Sequence, residues 1–247
     1  MSAASHPFRG LARFEDTDAD AALFFGRERD REIVAANLIA SRLTVLYGAS
    51  GVGKSSLLRA GVAHNLRRSP EPQIVVVFDA WQADPVERLK QAVAESADVE
   101  PGRTLADTLD DCATAVGGDV YVLLDQVDEY FLYHGAESGL GTFAEEFPAA
   151  VARSGLRASF LLALREETVA KLDSFKSRIP NVLGNYLRLD HLDRVAGRAA
   201  ILGPIEEVNR HASPDERLEI EPELVEEVLD EVAAGKLDLG ESGIGAV

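Results

Sequence analysis

Cysteine is nearly absent: Cys112 is the only one in 247 residues. No internal disulfide can form, and a reducing compartment, the cytoplasm, is the expected location. Long apolar runs are missing too. Runs such as Ile74 to Phe78 and Val120 to Leu124 are strand-sized, far below the roughly 20 residues of a membrane-spanning helix, so no membrane partner is expected. Met1 to Gly10 lacks the basic and then apolar pattern of a secretory leader. Basic residues are scarce beside acidic ones, 25 against 42, for a net charge of -17. Such a surplus repels phosphate backbones at long range and argues against nucleic acid as the principal partner. The five histidines, His6, His64, His134, His191 and His211, show no metal-ligand spacing with one another or with Cys112. What is plentiful is ordinary core material: 46% hydrophobic and 27% charged residues are globular averages. The length suits one α/β domain with a full core and a small helical appendage.

Short β-rich runs alternate with longer helical patterns, the sequence form of βα units around a largely parallel sheet. Five strands are expected, at Leu43 to Tyr47, Ile74 to Asp79, Val120 to Asp125, Ala158 to Leu164 and Tyr186 to Leu189. Most are continuous apolar runs, as expected when helices cover both faces. Helices are expected at Glu28 to Ser41, Lys54 to Arg68, Pro85 to Ala97, Leu105 to Val116, Thr142 to Ser154 and Arg194 to Asn209. A last helix begins near Pro222, with Leu224, Val225, Val228, Leu229 and Val232 on one stripe that must pack against something. Leu237 to Val247 shows no closing element, so the chain is expected to stop before a natural domain boundary. Polar residues collect at the C-terminal ends of the strands, where open α/β sheets bind ligands.

The strongest local signal is Gly48-Ala49-Ser50-Gly51-Val52-Gly53-Lys54-Ser55, a full match to G-x-x-x-x-G-K-[ST] between an apolar strand and a helix. Glycines let backbone amides turn toward phosphate oxygens, Lys54 supplies a charge to the β and γ phosphates, and Ser55 can ligate magnesium. Magnesium on a triphosphate also needs a carboxylate, and an attacking water needs a base. Asp125 ends the apolar strand Val120 to Leu124, and Asp128 and Glu129 follow within one turn. Asp125 is assigned to magnesium with Ser55; Asp128 and Glu129 compete for the role of base. Arg165 ends the fourth strand, where it can reach a γ phosphate or pair with Glu166 or Glu167. Trp81, after the second strand, is read as a packing residue ahead of a contact with ligand or partner, and Cys112 as core ahead of a nucleophile.

These residues and their order resemble the STAND class of signal-transduction NTPases, in the AAA+ and NACHT-like part of the phosphate-loop ATPases, and most closely the novel STAND NTPase domain. Pro7-Phe8-Arg9-Gly10-Leu11 with Phe14, then Asp20-Ala21-Ala22-Leu23-Phe24-Phe25-Gly26-Arg27-Glu28, resembles the lead-in of that domain. Gly48 to Ser56 followed by Leu57-Leu58-Arg59-Ala60-Gly61 resembles its phosphate loop and helix, and Asp125-Gln126-Val127-Asp128-Glu129 its acidic strand end. Leu164-Arg165 resembles its sensor position, and Ala200-Ile201-Leu202-Gly203-Pro204-Ile205 its late Gly-Pro turn.

The resemblance implies a three-layer α/β fold with a five-stranded parallel sheet in the order 2-3-4-1-5 and a C-terminal helical subdomain. It implies a lead-in at 1–27, a core at 28–192 and a helical subdomain at 193–247, followed in the intact protein by winged-helix and sensor-repeat domains. It places Phe25, Gly26 and Arg27 near adenine, with Ser56 in the phosphate site and Pro204 touching the base from the helical subdomain. ATP, ADP and magnesium are the implied ligands. The implied function is a switch between ADP-closed and ATP-open states, with self-association on activation. Gln126 follows Asp125 where motor-type relatives place a second acid, so slow hydrolysis relying on Asp128 or Glu129 is expected. A nucleotide-binding scaffold without turnover and a small-molecule kinase are the rival readings; no arginine-rich lid is evident for the latter.

Overall fold

A computed structural model of the chain describes residues 6–10 and 12–233. Leu11 of the lead-in motif and the tail Leu237 to Val247 lie outside the described residues. Five strands, β1 (Leu43–Gly48), β2 (Gln73–Phe78), β3 (Asp119–Leu124), β4 (Ala158–Arg165) and β5 (Tyr186–Arg188), form one sheet. Its order is β2-β3-β4-β1-β5, with every pairing parallel. The order agrees with the one the resemblance implies.

Side chains alternate across each strand, and both sets are buried. Ile74, Val76 and Phe78 of β2 join Val120, Val122 and Leu124 of β3 on one face. Val75, Tyr121, Leu123, Leu161 and Ala163 face the other way and meet Val34, Leu38, Leu57 and Val62. Helices α5 (Pro85–Glu95), α6 (Leu105–Val116) and α8 (Phe143–Ala152) contribute to the first layer. The second layer is built by α2 (Glu28–Ala40) and the helical segment after β1. Caps set several of the helix starts: the Asp84 carboxylate accepts from the amides of Val86 and Glu87, with Pro85 at the first helical position.

Several elements differ from the sequence reading, the short helices near residues 18–22 and 127–133 among them. The expected helix from Lys54 to Arg68 is wound in three parts: α3 (Lys54–Ser56), a π-helical stretch Leu57–Ala63, and α4 (His64–Arg67). Its apolar spacing cannot tell the two windings apart. Glu166–Phe175 forms a 3-10 segment that buries Leu172 and Phe175, in a stretch for which no element is expected. The Gly203-Pro204 pair is no turn, because α9 runs unbroken from Arg194 to His211 through it. A proline there gives up the amide hydrogen that would reach back one turn and crowds the carbonyl of that turn, without ending the helix, and the Phe25 ring lies where a Cβ on Gly203 would sit, 2.4 Å from its Cγ. Short helices α1 (Asp18–Ala22) and α7 (Val127–Tyr133) flank the site. The last helix, α10 (Pro222–Ala233), buries Val225 and Leu229 and leaves Leu224 half exposed; Arg194 and Arg198 of α9 pair with its Glu226 and Asp230. No described helix is long and apolar enough to cross a membrane.

Candidate functional site

Register brings the polar strand ends together. Gly48 of β1 stands opposite Arg165 of β4, and Leu124 of β3 opposite Phe78 of β2. Asp125 therefore emerges beside Asp79, its amide donating to the Phe78 carbonyl at 2.8 Å. After β1 the chain turns through Gly53, whose φ of +94° puts it in the left-handed region immediately before α3. No neighbour crowds that Cα, so glycine is required there by backbone conformation and not by space. Lys54 then folds back over the loop, its ammonium donating to the carbonyls of Gly48 and Ala49 at 2.8 Å each. Burial pushes its pKa down, while Asp128 and Asp125 pull it back up.

Asp125 is 1% exposed. Burial raises its carboxyl pKa; Ser55, Arg59 and the Gln126 amide oppose that rise. Oδ1 accepts from the Gln126 amide at 2.9 Å, yet Oδ2 is buried with no partner in hydrogen-bonding geometry. A buried carboxylate oxygen without a donor is costly, and beside the Ser55 hydroxyl it is a hard-oxygen pair of the kind a small divalent cation takes. Among the described residues no three His, Cys, Asp or Glu side chains gather closely enough to hold a metal alone. Asp128 Oδ1 accepts from the Arg165 amide at 3.3 Å, and Oδ2 lies 3.5 Å from Arg165 Nε. Glu129 has a raised pKa, from burial first and then from the charges of Asp128, Asp79 and Asp125. Gln126 sits between these acids at φ 54°, a left-handed conformation uncommon for a side-chain-bearing residue.

Lys54, Ser55, Asp125, Asp128, Glu129 and Arg165 all line one polar cleft of about 270 Å3. Ser50, Gly51, Gly53 and Ser56 line both this cleft and an adjoining apolar pocket of about 1060 Å3. The pocket takes Phe25, Arg27 and Val52 into its wall, with Gly197, Ala200 and Ile201 of α9 opposite. Arg27 is nearly buried and braces the loop by donating to the Val52 carbonyl at 2.8 Å. Gly48, Ala49 and Gly26 line neither space, and neither does Pro204, which is buried within α9. Gly26 instead marks the point where α9 docks: its φ is +83°, and a Cβ would come within 2.4 Å of the Ala196 carbonyl oxygen. Gly26→Ala is expected to lower stability in urea unfolding by about 2 kcal/mol or more, adding left-handed strain to a forced separation of α9.

Two contributors escaped the sequence reading. Trp81 is fully buried against Phe78, Tyr130 and Phe143. Besides packing, its indole Nε1 donates to the Asp125 carbonyl at 2.6 Å, fixing the acidic turn from behind. Arg13 reaches the polar cleft from the lead-in segment. Nothing in its local sequence marks it, since its place depends on how residues 12–15 cross the fold.

The family model described as Novel STAND NTPase 1 matches residues 7–240. No curated protein matches the chain. Among solved structures, the Walker-type ATPase of Pyrococcus abyssi is similar at a TM-score of 0.58 and 19% identity, over 88% of this chain and 65% of that one. The ORC2 protein of Aeropyrum pernix, in its ADPNP-ADP complexes, is similar at a TM-score of 0.55 and 16% identity, over 73% of this chain and 52% of that one. This chain thus spans between half and two thirds of the length of those chains. Their likeness is one of fold, the parallel α/β sheet of phosphate-loop ATPases. The family match runs through the lead-in segment, the phosphate loop, the acidic turn and α9, and the chain belongs to the Novel STAND NTPase 1 family.

Proposed function

We propose that the chain is the ATP- and ADP-binding switch of a larger signalling protein and that it hydrolyses ATP slowly. The observation that carries this reading is the continuity of a polar cleft containing Lys54, Ser55 and Asp125 with an apolar pocket walled partly by α9 and α10. Phosphates fit the first and a planar base the second, against Phe14, Phe24 and Phe25. Lys54 leaves the loop carbonyls for the β and γ phosphates, and the amides of Ser50 to Ser55 cradle them. Magnesium, held between Ser55, Asp125 and phosphate oxygens, would neutralise charge on the transferred group. Glu129 is the stronger candidate for the base that orients water: burial and the neighbouring acids raise its pKa, while Asp128 is engaged by Arg165. Through that contact Arg165 can report a γ phosphate to the acidic turn.

The division into lead-in 1–27, core 28–192 and helical subdomain 193–247 belongs to the same proposal. The helical part closes one wall of the base pocket, so exchange of ADP for ATP is the step that moves it. Winged-helix and sensor-repeat domains downstream and self-association on activation complete the switch, in a cytoplasmic setting without nucleic acid. The test is to denature freshly purified protein and identify released nucleotide by ion-pair chromatography. Stoichiometric ADP is expected; no nucleotide together with no ATP-induced thermal shift would overturn the reading. A scaffold without turnover is the second reading, favoured by Gln126 standing beside Asp125 and by the Asp128 to Arg165 contact; phosphate release under self-associating conditions decides against it.

A further inference from the structure

Residues 12–14 take part in lining both spaces, Ala12 in the polar cleft. Arg13 lines the polar cleft and not the apolar pocket, whereas Phe14 lines the pocket. The Phe14 amide donates to Ser56 Oγ at 3.1 Å, tying this stretch to the residue that follows the phosphate loop. Arg13 itself donates to Asp79 Oδ2 at 2.8 Å and to Glu15 Oε1 at 2.7 Å. Both carboxylates have a second cation: Arg59 donates to the same Asp79 oxygen at 2.8 Å and lies 3.4 Å from Glu15 Oε2. Arg59 is 13% exposed and Arg13 is 38% exposed. If Arg13 withdraws, Arg59 still holds Asp79 and Glu15.

Charge balance in the cleft gives Arg13 a reason to move. The charged side chains lining it are the cations Arg13, Lys54 and Arg165 and the carboxylates Asp125, Asp128 and Glu129. Without Arg13 that lining would be net negative and would repel a polyphosphate. A guanidinium fork matches phosphate oxygens better than a point charge does.

Resting on the nucleotide reading of this cleft, we propose that Arg13 is a phosphate-binding residue. On binding it turns from Asp79 and Glu15 to a terminal phosphate oxygen, so that the lead-in segment senses a triphosphate directly. The class of ligand is a nucleoside triphosphate with magnesium.

The test is isothermal titration of the 247-residue chain with magnesium adenylyl imidodiphosphate and with ADP, folding being checked by Tm. Arg13→Ala is expected to weaken the triphosphate analogue about 10-fold and ADP less than about 3-fold. Glu15→Gln, which removes a competing carboxylate, is expected to leave the analogue unchanged or tighten it. Should alanine lower Tm, Arg13→Lys serves as the second variant, with an intermediate loss on the triphosphate analogue alone. Unchanged affinities in Arg13→Ala overturn the proposal. So does an equal loss on both nucleotides that Glu15→Gln reproduces, because that marks Arg13 as a mere tether. A wild-type chain that binds neither nucleotide overturns this proposal and the cleft reading together, whereas binding that needs Lys54 but ignores Arg13 overturns only this one.

Discussion

Lys54→Ala is expected to weaken nucleotide binding by about 100-fold or more while leaving the melting temperature nearly unchanged. The side chain makes two hydrogen bonds in the structure, both to loop carbonyls that water can reach once it is gone, so the fold loses little. Binding loses far more. Charge-assisted hydrogen bonds to phosphate contribute about 1.5–3 kcal/mol each, and 1.4 kcal/mol is a factor of ten in affinity. Calorimetric titration with ATP and magnesium reads the first effect, and a thermal melt the second. Undiminished affinity in the alanine variant would remove the phosphate-loop assignment.

Asp125→Asn is expected to move stability and activity in opposite directions. Burial raises the carboxyl pKa above its ordinary 3.8 in the folded state. A raised carboxyl pKa means that the fold favours the protonated form. The stability this group contributes is therefore fully present in acid and is lost as pH climbs through the folded-state value. At pH 7 the native protein carries this cost. The amide does not, and it keeps both the main-chain bond from Trp81 and an oxygen for the Gln126 amide. A gain of about 1 kcal/mol would raise Tm by about 2–4 °C at this chain length, and the gain should shrink as the melt is repeated toward pH 4. Phosphate release with magnesium should fall by about 100-fold or more, the scale of losing one electrostatic contact to the reacting group. A variant that is less stable at pH 7, or that hydrolyses ATP normally, would refute the corresponding half.

Much of this arrangement is legible in the sequence. Strands buried on both faces leave continuous apolar runs, which is why Val120 to Leu124 and Ile74 to Phe78 read as strands with helices on either side. The phosphate loop is local chemistry, with ligand atoms and glycines within eight consecutive residues. The sheet order was not in the periodicity and came from resemblance alone. Winding was hidden because residues 57–63 bury nearly every side chain, and a wholly buried helix carries no amphipathic phase. Arg13 and the indole bond of Trp81 were hidden for another reason: each depends on a partner far along the chain, Asp79 for one and Asp125 for the other. The Gly203-Pro204 pair resembles a turn of the family, yet the glycine lies inside α9 and makes room for the ring of Phe25. Sequence reading reaches what neighbours in the chain decide; it misses what the tertiary fold lends to a lone arginine or glycine.

The position of β1 in the sheet has a consequence for the order of events during synthesis. Leu43 pairs with Phe160, and Val45 with Tyr186, so the strand carrying the phosphate loop finds no partner until β4 and β5 have been made. Its loop leaves the ribosome early and must wait, while β2 and β3 can already pair with each other. The outer wall of the apolar pocket, at residues 197–201 and 228–232, arrives later still. Non-local pairing of this kind slows folding and prolongs the exposure of apolar strands. A nascent chain truncated before β4 should therefore present Leu43 to Tyr47 to chaperones, and nucleotide can act as a folding ligand only after nearly the whole domain has emerged.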